Sequence, residues 1–485
     1  MSENSSLDRV ENPKLTLYAF HLCHDMALGE QQRVEDSDRL WQTFEELGQA
    51  LAIEPLATCR QWLNLPENGG TVPFRELLSE EIDRCLRFPI PPVEADPATP
   101  QSRRNGELYA VQLHDTYAAD LTFRYTGTVS LHQLSHLNPQ GKLLPHHIKV
   151  SLGQTLVLFA KPLINGDIPN SEDLRSFADR CLEALLAEAH PHFQNPSYLA
   201  HGKLLGSPIF EYDNFAEDPA QSCHILIWLD CDPDTTRLEA VGDYYHPLLN
   251  LLCYHSKISF SYHQARERNR DTRKIYHELE TVMQGLQALP ENTEERLTFL
   301  KRSISETNPK AFTYSSYIRD IEDHRTAIIT NLRNYTISLN QLNQLEGENE
   351  LKFFQEFSDR RTQFLGQIRT DINYLMPGKN LFGQCIATMR GIVEVEQAEI
   401  NHKRQQADTD LQDHIQAIGV GIAAGAFFAS TSGLITQPWS LPNNTKIELP
   451  FLLPHPFIIA LVSSVLCSWG AWWIAKSWIK NRRSR

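Results

Sequence analysis

Hydrophobic and polar positions are spaced differently in different parts of the chain, and the first part mixes two spacings. Short apolar or alternating runs predict strands at Leu15–Leu22, Leu108–Leu113, Ile148–Val150, Thr155–Phe159, Pro208–Tyr212 and His224–Leu229. Helical spacing between these runs predicts helices at Asp38–Ala50, Phe74–Arg87 and Ser171–Ala189. Residues 1–240 are therefore predicted to form an α/β domain.

After about Val241 the strand signals stop and helical spacing continues to about residue 415. Steps of four and three residues predict a helix-packing seam at Ile328, Leu332, Tyr335, Leu339 and Leu342. Breakers predict turns between long helices at Pro290, Pro309, Gly347 and Pro377–Gly378. Residues 241–415 are thus predicted to form a long-helix stalk, whose last helix starts near Leu381 and continues to Leu434.

Two apolar stretches follow, at residues 416–436 and 457–479. Each has about the 20 residues that a helix needs to cross a bilayer. They predict a transmembrane hairpin over residues 416–479, followed by a basic tail at 480–485. The loop Gln437–Pro456 carries only Lys446 and Glu448, so the positive-inside rule places both termini in the cytoplasm. The predicted fold class is an α+β cytosolic domain, a helical stalk and a C-terminal two-helix transmembrane hairpin in the bacterial inner membrane. The alternative is a hairpin buried within the protein.

Composition and short motifs limit the classes of partner and function that we expect for this chain. The chain has 485 residues and a formal charge of −15, which argues against nucleic acid because phosphate binding needs clustered Lys and Arg. The nine cysteines include no CxxC pair, which favours free thiols in a reducing compartment. No Walker A, GxGxxG, GxSxG or HExxH motif is present, so we do not expect an enzyme.

The first apolar stretch carries a small residue at every fourth position. These are Ala417, Gly421, Gly425, Ala429 and Gly433, a pattern that lets helices approach closely. The pattern suits either simple helix packing or the lining of a narrow pore. In a pore, Asp413 would concentrate cations at the mouth, and Phe427 and Phe428 would form a hydrophobic constriction.

Three alternating carboxylates follow the apolar run HILIWL, at Asp230, Asp232 and Asp234. Carboxylate oxygens suit a divalent cation such as Mg²⁺ or Ca²⁺, the one cofactor that the sequence suggests. Pro233 interrupts the run, and a solvated acidic turn is the alternative reading of the same residues.

The order of elements resembles the CorA-like family of two-span metal-ion transport proteins. The resemblance rests on the soluble half, the Leu381–Leu434 helix, the Gln437–Pro456 loop and the basic tail KNRRSR. The family's Gly-Met-Asn signature is absent, and SGLIT at residues 432–436 stands in its place. The resemblance implies a homo-oligomer, such as a pentamer, that conducts ions across a lipid bilayer.

These observations predict a homo-oligomeric ion channel, transporter or pore-forming effector, gated by a cytosolic domain that senses a small ligand or ion. A membrane-anchored scaffold or signalling protein is the alternative, because a hairpin can also serve as an anchor alone. A tethered hydrolase with a metal at the three aspartates is a third reading.

Overall fold

The structure is a computed structural model that describes residues 8–24, 32–66, 72–82, 84–91, 103–164, 170–432 and 456–483. The chain divides into two units. The first contains Met1–Thr281 and Pro309–Phe382, and the second contains Val282–Asn308 and Gly383–Arg485.

The first unit is built on one mixed sheet. Its strands are β1 (Arg9–Leu22), β2 (Val72–Glu76), β3 (Leu86–Pro89), β4 (Arg103–His114), β5 (Thr116–Thr126), β6 (Thr128–Ser130), β7 (Gly153–Pro162), β8 (Ser197–Leu204), β9 (Ser207–Asp213) and β10 (Cys223–Leu229). The order across the sheet is β2-β4-β5-β1-β7-β10-β9-β8, with β3 paired to β4 and β6 paired to β1. The pair β7–β10 is parallel, and the remaining described pairs are antiparallel.

The helices are short in the first half of the chain and long in the second. They are α1 (Arg39–Ala50), α2 (Glu54–Ala57), α3 (Pro145–Ile148), α4 (Ser171–Leu185), α5 (Thr235–Val241), α6 (Tyr245–Gln287), α7 (Thr293–Asn343), α8 (Lys352–Ser432) and α9 (Pro456–Arg483). Helix α4 begins where the Asn170 side chain accepts hydrogen bonds from the N–H groups of Glu172 and Asp173, both at 2.9 Å. This cap satisfies N–H groups that have no partner within the helix.

One face of the sheet forms the main hydrophobic core. Helices α1 and α4 cover it, and Trp41, Phe44 and Phe177 on these helices are fully buried. Successive strand residues point to opposite faces of the sheet. Leu15 and Leu17 of β1 therefore pack into this core, and the residues next to them point to the opposite face. The opposite face packs against α6 and the first part of α8, and that face positions the site described below.

In the second unit, α8 packs closely against α9. The Ser464 hydroxyl donates a hydrogen bond to the Gly425 carbonyl at 2.9 Å. A Cβ atom at Gly425 would lie 1.8 Å from the Ser468 hydroxyl, and one at Gly421 would lie 3.2 Å from the Trp472 Cβ. Both glycines therefore allow a backbone approach that a larger residue would block.

The predicted transmembrane hairpin is wrong for the residues that the structure describes. Within these residues, none of the helices combines the length and the apolar character needed to cross a membrane. Such a helix needs about 20 mainly apolar residues. The finding also overturns the predicted membrane channel and its inner-membrane location.

Three local predictions were also wrong. The predicted strand Ile148–Val150 starts at the last residue of α3 and does not belong to the sheet. The predicted helix Phe74–Arg87 contains the end of β2 and the start of β3, because its residues pair with β4. Pro309 and Pro377 were expected to end helices, but they lie inside α7 and α8. A proline removes one backbone hydrogen bond, a loss that packing of a long helix can offset. Assembly into a homo-oligomer stays a prediction.

Candidate functional site

A row of side chains, most of them polar, crosses the face of the sheet that packs against α6 and α8. The registers of β4, β5, β1, β7, β10 and β9 align one residue from each strand, in the order Tyr109, Asp120, Tyr18, Thr155, His224 and Asp213. A sheet face that packs against helices is usually apolar, because buried polar groups are costly without partners. The row therefore concentrates titratable groups where packing alone would not require them.

Asp120 lies near one end of the row, between Tyr109 and Tyr18. Thr122 donates a hydrogen bond to the Asp120 carboxylate at 2.9 Å. The rings of Tyr109 and Tyr18 lie 5.8 and 6.5 Å from the ring of Tyr245 on α6. Burial raises the pKa of the Asp120 carboxyl to about 6. This end is closely packed, and it fixes the start of α6 on the sheet.

The other end of the row holds a buried Glu–His pair. Nε2 of His224 lies 3.0 Å from Oε1 of Glu211, and Nδ1 lies 3.2 Å from the hydroxyl of Thr155. A tautomer protonated on Nε2 satisfies both contacts, because it donates to Glu211 and accepts from Thr155. Glu211 is 1% exposed, and its Oε2 has no hydrogen-bond partner among the described residues.

A column of stacked rings leads outward from this pair. His224 stacks on His255 of α6 with centroids 4.7 Å apart, and His255 stacks on Phe357 of α8 at 4.1 Å. The Arg361 guanidinium lies 4.6 Å from the Phe357 centroid and 4.4 Å from the Phe364 centroid. The rings of Phe364 and Tyr262 complete the column at 3.6 Å, with 9° between their planes.

The column ends at a cavity of about 400 Å³, which we call the Arg361 pocket. It lies between the end of β9, helix α6 and helix α8. Residues that matter for its chemistry are Asp213, Phe215, Ser259, Arg266, Arg270 and Arg361. The pocket thus combines three arginines with aromatic and hydroxyl groups.

The three arginines of the pocket differ in whether an acidic side chain lies close enough to balance their positive charge. Arg266 forms an ion pair with Asp371 at 2.6 Å, and Arg270 lies 3.8 Å from Glu267. Arg361 has no hydrogen bond or ion pair within the part of the chain that the structure describes. Its cation is stabilised by the two ring faces, a contact that leaves the N–H groups at its edge available.

Electrostatics in the pocket reflect burial. Burial lowers the pKa of Arg361, and the nearby Asp213 acts in the opposite direction. Burial raises the pKa of the Asp213 carboxyl, while His224 and the Phe215 N–H, at 2.6 Å from Asp213 Oδ1, favour its charged form. Burial also lowers the pKa of His255, and the electrostatic effects of His224 and Arg361 act in the same direction.

The three aspartates predicted as metal ligands have separate partners. Asp230 accepts a hydrogen bond from Thr236, and Asp232 accepts one from the N–H of Asp234 at 2.9 Å. Asp234 lies 3.3 Å from Nε of Arg237. Across the described residues, no cluster of three or more His, Cys, Asp or Glu is arranged to hold a metal ion. These aspartates are therefore not grouped as metal ligands in this structure.

The residues predicted for a pore lie in the second unit. Gly421 and Gly425 face α9, and Ala417 is buried. Asp413 is half-exposed, whereas Phe427, Phe428 and Ala429 are exposed on α8. Gly433 lies outside the described residues. A pore role would require membrane-spanning helices, and the described part of the chain contains none.

Glu211, His255 and Arg361 were not predicted from the sequence, and His224 was predicted only as the start of a strand. One signal was present: in SPIFEYD, Glu211 and Asp213 alternate and must share a face. Nothing local connects them to α6 and α8. No family model matches the chain, and no curated protein matches it. The resemblance to CorA-like proteins therefore stays an expectation.

Proposed function

We propose that the first unit is a binding module and that the Arg361 pocket binds a small carboxylate or phosphate anion. The observation that carries this proposal is the Arg361 guanidinium, which lines a cavity and has no acceptor among the described residues. A planar guanidinium offers paired N–H donors that match a carboxylate or phosphate.

The contacts of Arg361 with aromatic rings hold its side chain in place for binding an anion. The rings of Phe357 and Phe364 both pack against the guanidinium, so the side chain is ordered before an anion arrives. Prior order reduces the entropy lost on binding. Asp213, a carboxylate that also lines the pocket, already accepts a hydrogen bond from Phe215 and is not bonded to Arg361.

Binding suits this pocket better than catalysis. His224 and Glu211 have the chemistry of an acid–base pair, but His224 is 1% exposed and neither residue lines the cavity. A general acid or base must come within hydrogen-bond reach of the reacting group. His263 does line the cavity, but its Nδ1 lies 2.7 Å from the Glu217 carbonyl and its Nε2 lies 3.5 Å from Glu267.

Isothermal titration calorimetry tests the proposal on the full 485-residue chain with phosphate, pyrophosphate, succinate and citrate. We expect at least one of them to bind, and Arg361→Gln to weaken that binding by about 10- to 100-fold, since it removes a charged hydrogen-bond donor. Arg361→Lys should weaken it less, because it keeps the charge and loses only the paired geometry.

Arg360→Gln is the matched control. Arg360 precedes Arg361 on α8, is exposed and does not line the pocket. Its replacement should leave the affinity unchanged. The proposal fails if Arg361→Gln binds every anion as well as the unmodified protein does, or if none of the anions binds the unmodified protein.

A further inference from the structure

A second cavity, of about 420 Å³, lies farther along α6 and is lined by Arg273, Tyr276, Tyr314, Tyr374 and Leu375. We call it the tyrosine cavity. Its three tyrosines come from three different helices, α6, α7 and α8. Such a concentration of rings around an open space is not needed to pack three helices.

The tyrosine cavity has a rigid floor. Tyr314 is 1% exposed, donates a hydrogen bond to the Leu375 carbonyl at 2.7 Å, and lies 5.1 Å from the ring of Phe382. A Cβ atom at Gly378 would lie 2.3 Å from the Tyr314 hydroxyl oxygen and 2.9 Å from Tyr276 Cδ2. Gly378 therefore lets two tyrosines approach the α8 backbone, and this approach shapes the cavity.

The wall of the tyrosine cavity is open to a partner. Tyr374 is 74% exposed, which is a large apolar surface for a residue on a packed helix. An aromatic ring left open in this way offers a face on which a planar group can stack. Arg273, at the same cavity, disfavours a cation and favours a planar group attached to an anion.

The tyrosine cavity and the Arg361 pocket share one carboxylate. Asp371 is 3% exposed, pairs with Arg266 of the pocket at 2.6 Å and lies 3.7 Å from Arg273 of the tyrosine cavity. Arg266, Arg270 and Arg273 are spaced by four and three residues, so they lie along one face of α6. At 1.5 Å per residue, Arg266 and Arg273 are about 10 Å apart along the helix axis.

From this arrangement we infer that the two cavities are subsites for one ligand, a nucleotide-like compound whose planar ring occupies the tyrosine cavity. Its phosphate groups lie along the arginines of α6, at the edge of the Arg361 pocket. The inference rests on the proposed anion binding at the Arg361 pocket and adds the chemical class of the ligand. In a planar ring joined to two or more phosphates, the ring suits the tyrosine cavity and the phosphates suit the arginines.

The test compares ADP with pyrophosphate by isothermal titration calorimetry, on the full chain and in the presence of EDTA. We expect ADP to bind more tightly than pyrophosphate. Tyr374→Ala should weaken ADP binding by about tenfold, the usual effect of losing one ring–base stack, and should leave pyrophosphate binding unchanged. Tyr374→Phe keeps the ring and should bind ADP as the unmodified protein does. Arg361→Gln should weaken both compounds.

Phe312→Ala is the matched control, because Phe312 is an exposed aromatic residue on α7 that lines neither cavity. It should change neither affinity. Equal affinities for ADP and pyrophosphate, with no effect of Tyr374→Ala, would overturn the shared-ligand inference and leave anion binding intact. If ADP and pyrophosphate both fail to bind while another anion binds in an Arg361-dependent way, the nucleotide class is wrong and the proposed function stands.

Discussion

The imidazole of His255 on α6 stacks on the imidazole of His224 on β10, with centroids 4.7 Å apart and 19° between the ring planes. A proton on either ring would place a positive charge against its neighbour. Burial, His224 and Arg361 together lower the pKa of His255, so this ring is neutral in the folded protein at neutral pH. The stability of this contact between sheet and helix therefore depends on pH.

We expect the free energy of unfolding to contain a His255 contribution that is lost on acidification. An unfolded histidine has a pKa of about 6.5 and takes up a proton below that pH, whereas folded His255 does not until a lower pH. The unfolded state thus binds more protons, and stability falls as pH falls below about 6.5. Asp120, with its pKa raised to about 6, acts oppositely, because its folded form is destabilised as pH rises and it ionises.

Replacing His255 by phenylalanine isolates this contribution. The ring of His255→Phe can still stack on Phe357 and does not titrate. Urea unfolding from pH 7.5 to 5.5 should show a smaller loss of stability for His255→Phe than for the unmodified protein. His277→Gln, at a side chain that is 83% exposed, should keep the original slope. Identical slopes for His255→Phe and the unmodified protein would refute the assignment.

Asp213 should oppose anion binding at high pH. Its carboxyl lies in the Arg361 pocket with a pKa raised by burial, so raising the pH adds negative charge where the anion binds. Asp213→Asn keeps an oxygen that can accept the Phe215 N–H and removes this charge. We expect it to strengthen pyrophosphate binding at pH 8 by about three- to tenfold.

Calorimetry at pH 8 measures this effect. Asp218→Asn is a control with the same chemical change, because Asp218 caps a short turn through the Ala220 N–H and does not line the pocket. An unchanged affinity in Asp213→Asn at pH 8 would show that the Asp213 charge does not act on the anion.

The free energy of unfolding should fall when Glu211, the hydrogen-bond acceptor of His224, is replaced. Glu211→Leu leaves Nε2–H of His224 buried without its partner, at a cost of about 1–3 kcal/mol. Glu211→Gln keeps a carbonyl oxygen at the same place and should cost less. Urea unfolding at pH 7 measures both. Glu346→Gln, at an exposed pair with Arg237, should stay within about 0.5 kcal/mol of the unmodified protein. Equal stabilities of Glu211→Leu and Glu211→Gln would contradict the role of the hydrogen bond.

Two glycines of α8 should respond in opposite directions to the same substitution. Gly378→Ala places a methyl group against Tyr314 and Tyr276, and we expect it to lower the unfolding free energy by about 1–3 kcal/mol. Gly366 has no atom within 4 Å of an added Cβ, so Gly366→Ala should raise stability by about 0.5–1 kcal/mol through helix propensity. Thermal unfolding of the two variants gives the sign directly. A stabilising Gly378→Ala would mean that the tyrosines do not approach the helix as closely as described.

Local patterns predicted much of the fold and almost none of the site. The apolar run at His224–Leu229 was predicted as a strand and is confirmed within β10, because β-branched and aromatic residues suit a buried strand. The segment Phe74–Arg87 was assigned to the wrong class, because its strands exist only through pairing with β4. Pro377 was read as a helix end, although α8 continues through it.

The sequence by itself determined that strands and short helices come first and that long helices follow, because these features depend on residue spacing within a few turns or strand lengths. The tertiary structure alone decided which residues meet. Glu211, His224, His255 and Arg361 are spread over 150 residues, and only strand register and helix packing bring them into one column. Arg361 becomes a candidate anion-binding residue for the same reason: its ring partners, and the absence of an acceptor for it among the described residues, are properties of the packed unit, which no local pattern encodes.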